Sequence, residues 1–206
     1  MTGRRACYRA PVSTDFVIVR HGQTDWNLER RIQGSTDVPL NDTGIAQARH
    51  TSEALRTERF DAVASSHLQR AELTAATIGA HHVLRPLIDP RLTERSFAEV
   101  EGWKVEDVKA LFPSFDDIAG VEPWSAVTAR MLAAMEALAE AAVGGRVLVV
   151  THGSAIRGFL SSIQGVAPRE VQSLLNCSLT EVRLEDGAWS IRSFNDNTHL
   201  PEHLRT

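Results

Sequence analysis

Cysteine is nearly absent from this chain: among 206 residues there are only Cys7 and Cys177. Two thiols so far apart form no disulfide framework and match no metal-ligand spacing. The expectation is therefore a reducing, cytoplasmic setting with neither metal nor cofactor. Lysine is also scarce, with Lys104 and Lys109 alone. The formal net charge is −4 and the arginines are scattered. That leaves no basic patch for nucleic acid or an anionic membrane. No apolar run approaches the ~20 residues that a membrane-spanning helix requires. Residues 1–14 carry Arg4, Arg5 and Arg9 but no apolar h-region, so they read as a flexible lead-in or an upstream start rather than a secretory signal. No linker, repeat or low-complexity segment divides the chain, and its length suits one sizeable core, so a single domain over 1–206 is expected.

What the chain does have is an alternation of strand and helix patterns. Phe16-Val17-Ile18-Val19 and Val147-Leu148-Val149-Val150 are short β-branched runs bounded by turn residues, the signature of strands buried on both faces of a parallel sheet. Phe60 to Ser65 reads as a second strand and His82 to Ile88 as a third. A helix capped by Asn41 or Asp42 carries Ile45, Ala48 and Leu55 on one face. Trp124, Val127, Met131, Met135, Leu138 and Ala142 recur at helical spacing, with Gly144-Gly145 as the stop. A short helix is expected over Val105 to Leu111, another from Ser154 to Gln164, and a third from Pro168. Ser178 to Leu184 and Trp189 to Phe194 flank Glu185-Asp186-Gly187, a hairpin signal. The sum is a three-layer α/β/α sandwich with a mostly parallel central sheet. The hairpin, at a sheet edge, would offer a second copy a place to pair, so a homodimer is one expected state.

Arg20-His21-Gly22 and His152-Gly153 each follow one of the two apolar runs. Ligands of open α/β sheets bind outside the carboxyl ends of strands, so the two histidines can meet there. Imidazole attacks phosphorus, and a guanidinium fork matches phosphate oxygens. The amides of Gly153 and Ser154, where a helix begins, form a natural anion site.

The string Arg20-His21-Gly22-Gln23-Thr24-Asp25-Trp26-Asn27 resembles the opening motif of the histidine phosphatase superfamily, which includes phosphoglycerate mutases and many phosphatases. The resemblance continues through Arg31-Ile32-Gln33-Gly34, Asp37-Val38-Pro39-Leu40, Ser65-Ser66 with Arg70-Ala71, Leu92-Thr93-Glu94-Arg95 and Thr151-His152-Gly153. It implies a phosphoglycerate mutase-like fold and a covalent phosphohistidine at His21. Arg20, Arg70 and His152 would surround the phosphoryl group, and Glu94 would be the proton donor. Asn27, Gln33 and Gly34 would touch the substrate, a small phosphomonoester.

Two departures from the family pattern stand out. Ala98 follows Phe97 where relatives often have glycine, which strains the backbone if that position needs a positive φ. Pro123 follows Glu122 where the family's Gly-Glu-Ser element has serine, which leaves Glu122 an orienting role at most. Residues 96–123 are expected to wall the substrate pocket with Phe97, Trp103, Phe112, Phe115 and Trp124. Those aromatics would suit a partly apolar leaving group, or else pack against the scaffold. No arginine lies between Arg95 and Arg130. The adjacent arginine pair of the cofactor-dependent mutases is thus missing, and the resemblance favours a phosphatase. A phosphoglycerate mutase is the alternative, and a non-catalytic phosphate-binding protein the second.

Overall fold

In the computed structural model, which describes residues 13–206, the chain opens with strand β1, Ser13–Arg20. Helices α1 (Asp25–Leu28) and α2 (Asp42–Ala54) follow, then β2 (Ala62–Ser65) and α3 (Gln69–Gly79). Next come β3 (Leu87–Ile88), α4 (Val105–Leu111) and α5 (Trp124–Ala141). Strand β4 (Arg146–Thr151) leads into α6 (Gly153–Gln164), and β5 (Leu179–Glu185) pairs with β6 (Ala188–Asp196) in the expected hairpin. Ser13 and Thr14 belong to β1, not to a lead-in. Cys7 and the three early arginines lie outside the described residues.

One six-stranded sheet has the order β3-β2-β4-β1-β5-β6. Strands β1 to β4 are mutually parallel, and the β5–β6 hairpin adds an antiparallel edge beside β1. Side chains alternate across a strand, and β1 shows it. Phe16 and Ile18 join Met131, Met135, Ile156 and Phe159 under α5 and α6. Val17 and Val19 join Ala71, Ala75 and Ile78 under α3, with Leu55 from the end of α2. Because both faces are covered, β1 reads as an unbroken apolar run rather than an alternating one. Each of these four β1 side chains is 0–1% exposed, and burial of each stabilises the fold by about 1.5–3 kcal/mol.

The sequence signals mislead at β3. The expected strand over 82–88 is reduced to Leu87–Ile88, because α3 runs on through a 3-10 turn at Ala80–His82 and ends with Val83 at φ +57°. Val83 is exposed, so its β-branched side chain signals no strand. The helix expected from Pro168 is a single 3-10 turn, Pro168–Glu170. The segment 96–123 builds a small core of its own from Ile32, Val100, Val108 and Ile118, with Phe97, Phe112 and Phe115 against it. Among the described residues no helix is long and apolar enough to cross a membrane.

Ala98 has φ +52°, the left-handed conformation that the glycine pattern of the family suggested. A Cβ there costs roughly 1–2 kcal/mol, against the 0.5–1 kcal/mol of extra chain entropy that glycine loses. Ala98→Gly is expected to raise the unfolding free energy by about 0.5–1 kcal/mol, read as a higher urea midpoint at unchanged slope. A lower midpoint would mean that the methyl group contributes more by packing than it costs in strain.

Candidate active site

Strands β1 and β4 pair in parallel with Arg20 opposite Thr151. One residue further on, His21 N donates to Thr151 O at 3.0 Å, and the His21 and His152 rings lie 5.1 Å apart between centroids. The chain after His21 lies flat on the start of α2. A Cβ on Gly22 would come within 2.5 Å of Gly44 O, which is why the residue after the histidine has no side chain. From the far side, Asn176 Nδ2 donates to His21 O and Cys177 N to Arg20 O. The histidine is therefore fixed by its backbone.

Hydrogen bonds set the state of each ring. His21 Nδ1 lies 2.7 Å from Gly22 O. A carbonyl only accepts, so Nδ1 carries the proton and Nε2 keeps a free lone pair. Arg70 Nε donates to His152 Nδ1 at 3.3 Å, so His152 presents Nε2–H. Burial, reinforced by Arg70, holds both imidazoles well below their ordinary pKa. Both are neutral at pH 7.

The arginines are held just as firmly. Arg20 Nη1 donates to Leu174 O. Arg70 Nη1 and Nη2 donate to Thr36 O and Gly34 O, each at 2.7 Å. The Glu101 carboxylate fastens that loop, accepting from the amides of Ser35, Thr36 and Phe97. Burial lowers the Arg70 guanidinium to about 10, so it stays charged at neutral pH. Two buried donors, Arg20 Nε and His152 Nε2, have no partner. Such atoms normally find one; Arg20 and His21 line the cavity, and the His152 ring lies beside that of His21, although His152 is not itself a lining residue.

Glu94 lies over the N-terminus of α6, where Ser154 N donates to its Oε2 at 3.2 Å and Ala155 N to its Oε1 at 3.0 Å. The Ser154 amide, expected to meet substrate, is thus engaged by the chain's own carboxylate. Gly34 likewise contributes a carbonyl to Arg70. Asn27 Oδ1 closes the capping box of α1 by accepting from Thr24 N, leaving its amide nitrogen free at the cavity. Gln33 and Gly153 also line the cavity. Glu122 forms a two-point ion pair with Arg130, which donates to the carbonyls of Thr93 and Glu94. It therefore orients the segment that carries Glu94.

The cavity, about 390 Å³, opens at the carboxyl ends of β1 and β4. Phe97, Phe115 and Trp124 line it, while Trp103 and Phe112 do not. Sequence reasoning missed the cations around it: Arg31, Arg95, Lys109 and Arg157. Arg31 and Arg95 lie inside strings of the family resemblance without having drawn a role, and Lys109 and Arg157 have no motif of their own; the four converge from separate segments.

The profile of the histidine phosphatase superfamily (branch 1) matches residues 16–197. The chain belongs to this superfamily. It is 36% identical to the uncharacterized phosphatase PhoE of Bacillus subtilis, with 93% of this chain and all of that one aligned. It is 37% identical to a metal-independent phosphoserine phosphatase of Arabidopsis thaliana, over 91% of this chain and 83% of that protein. It is 33% identical to a probable phosphoglycerate mutase, GpmB, of Yersinia pestis, over 89% and 93%. Among solved structures, Bacillus stearothermophilus YhfR superposes with a TM-score of 0.84 at 25% identity, covering 90% of this chain and 98% of that one. The relatives thus include both phosphatases and a probable mutase.

Buried neutral histidines make stability depend on pH. In the unfolded chain His21 and His152 take up protons near pH 6.5, while in the folded protein they do so only at lower pH. Their contribution is intact above pH 7 and is lost as pH falls from about 6.5 through the depressed folded values. Urea unfolding at pH 7.5 and 5.5 is expected to show this loss, and the double variant His21→Asn/His152→Asn to show less of it. An equal loss in both proteins would assign the acid sensitivity to other groups, His199 and His82 first, since burial lowers those imidazoles too.

Proposed function

We propose that the chain is a metal-independent phosphomonoesterase that acts on small phosphorylated metabolites through a phosphohistidine at His21. The observation that carries this reading is the pair of buried, unpartnered donors, Arg20 Nε and His152 Nε2, beside a His21 ring whose Nε2 lone pair is free. A phosphoryl group at that point would give both donors an acceptor. A cavity of about 390 Å³ suits a small ester, and the few cysteines suit a cytoplasmic setting.

His21 Nε2 attacks phosphorus in line, and the P–O bond to the leaving group breaks. Arg20, Arg70 and the Nε2–H of His152 spread the developing charge over fixed donors. Glu94 delivers a proton to the departing oxygen. In the second half-reaction Glu94 takes a proton from water, whose oxygen attacks the phosphohistidine, and inorganic phosphate leaves as His21 regains its lone pair. A mutase would instead return the phosphoryl group to another oxygen of the same substrate. The likeness to the Yersinia protein keeps that second reading in the test.

Phosphate release from a panel of monoesters in EDTA is expected, with 3-phosphoglycerate included and its 2-isomer monitored. His21→Ala should lower turnover at least about hundredfold without shifting the urea midpoint by more than about 1 kcal/mol. Isomerisation without net release would make the protein a mutase. Glu94→Gln is expected to slow alkyl phosphates at least about tenfold more than aryl phosphates, whose phenolate leaves with less help. Equal losses on both would take the proton-donor role from Glu94; Glu99 and Glu101, the neighbouring carboxylates, do not line the cavity.

A further inference from the structure

The loop that grips Arg70 is itself held by one carboxylate. A guanidinium has five N–H groups. Arg70 Nε faces His152 Nδ1, while Nη1 and Nη2 donate to Thr36 O and Gly34 O. Each terminal nitrogen keeps one N–H for the cavity, which Arg70 lines. The two carbonyls therefore fix the plane in which that fork meets a phosphoryl group. Their own position is set by residues 34–36, a turn that belongs to no helix or strand.

Glu101 supplies the hold. Its Oε1 accepts from Ser35 N at 2.9 Å and Phe97 N at 3.0 Å, and its Oε2 from Thr36 N at 2.9 Å and Thr36 Oγ1 at 2.6 Å. Ser35 Oγ adds a bond of 3.1 Å to Oε1. Burial pushes this carboxyl up, but the bonds from Thr36, Phe97 and Ser35 together hold it below the ordinary glutamate value. It is therefore ionised at pH 7, and an ionised carboxylate accepts from every one of these donors. Gly34 makes room for it, since a Cβ there would overlap the Glu101 carboxylate. The 3-10 turn Ala98–Val100, opened by Ala98 at φ +52°, brings Glu101 back to the Phe97 amide. The wall segment 96–123 is joined to the same loop by Ile32 N to Trp103 O at 3.0 Å, Gly102 N to Ile32 O at 2.7 Å and Arg31 Nη1 to Gly102 O at 2.8 Å. Glu101 does not line the cavity and reaches it only through these neighbours.

We propose that Glu101 is a positioning residue: its carboxylate locks the 34–36 turn to the wall segment 96–123 and so aims the Arg70 fork at the phosphoryl group. One side chain then sets two parts of the site, the cage through Arg70 and the aromatic wall through Phe97. Glu101 touches no substrate and moves no proton. Hydrogen bonds to an ionised acceptor are about twice as strong as neutral ones, so a glutamine of the same shape is no equivalent. Its amide group would turn N–H against at least one of the donors that the carboxylate satisfies. The turn is then released, and Gly34 O and Thr36 O leave the Arg70 nitrogens. This inference rests on the reading of Arg70 as part of a phosphoryl cage, and binding tests it as well as turnover.

The experiment is a double-mutant cycle between Glu101→Gln and Arg70→Met, read on p-nitrophenyl phosphate turnover and on orthovanadate binding by calorimetry. Glu101→Gln alone is expected to lower kcat about ten- to hundredfold while KM changes less than about threefold. Orthovanadate, which takes the geometry of the transferring phosphoryl group, should bind at least about tenfold more weakly. In the Arg70→Met background the same substitution should cost under about twofold on either readout, because the fork it aims is gone. Hydrolysis with equal losses in both backgrounds, or with no loss from Glu101→Gln, would overturn the proposal and leave the phosphatase reading standing. If wild type releases no phosphate, a non-additive orthovanadate cycle still supports the proposal, and only the phosphatase reading falls. A wild type that neither turns over nor binds orthovanadate would overturn both. Thr36→Val, at an exposed position, removes only the hydroxyl bond and serves where either variant of the cycle fails to fold. It should weaken orthovanadate about threefold, and an unchanged affinity would overturn the proposal.

Discussion

The parallel pairing of β1 with β4 is the constraint on which the rest of the site depends. Its register sets Arg20 opposite Thr151, so the next residue on each strand, His21 or His152, leaves the sheet at the same level. No side-chain contact creates this meeting. It follows from two buried apolar runs that can be satisfied only in the middle of a sheet covered on both sides, where backbone hydrogen bonds admit little slippage. A shift by one residue would turn Phe16 and Ile18 into the layer of Val17 and Val19, and would also part the two rings. Core and active site thus select the same register.

The cage around His21 is built at a cost. His21, Arg70 and His152 are 2%, 0% and 0% exposed, and a buried donor without a partner destabilises by about 1–3 kcal/mol. Burial keeps both imidazoles neutral, which suits a nucleophile and a hydrogen-bond donor but not a pair of cations. The positive charge comes from arginines, which stay charged when buried. Each arginine is anchored through some of its N–H groups to backbone carbonyls, with others left for an anion. Little rearrangement is then needed when a phosphoryl group arrives, which is the condition for electrostatic stabilisation in a dry site.

Much of this was legible in the sequence because it depends on local pattern. The apolar runs of β1 and β4, the α4 segment after Lys104, and the Met131–Met135 stripe all declare themselves through periodicity. The positive φ at Ala98 was legible only through the family's habit of glycine there. Other features were hidden for a physical reason. The β-branched Val83 resembles a strand residue, but the helix before it runs on and leaves it in solvent. A helix N-terminus attracts an anion without specifying which one, and the chain supplies Glu94 from another segment. Arg95 and Arg157 look like solvated charges until Trp124 is placed between their segments, because stacking across elements leaves no periodic trace in the chain.

Helix α6 brings three parts of the candidate site together. Its N-cap is His152, its first amides hold the Glu94 carboxylate, and one turn later Arg157 reaches the same cavity. Three parts of the candidate site are thereby spaced by helix geometry, at 1.5 Å of rise per residue, and the helix is fixed by the burial of Ile156, Phe159 and Leu160. In the proposed mechanism the first two positions serve charge stabilisation and the placing of the proton donor. Position 157 differs: its backbone is locked in α6 while its side chain donates to Pro168 O, lies near Trp124 and lines the cavity. In the proposed reading the phosphoryl site is set by sheet register, so side chains one helical turn away are free to vary without moving it.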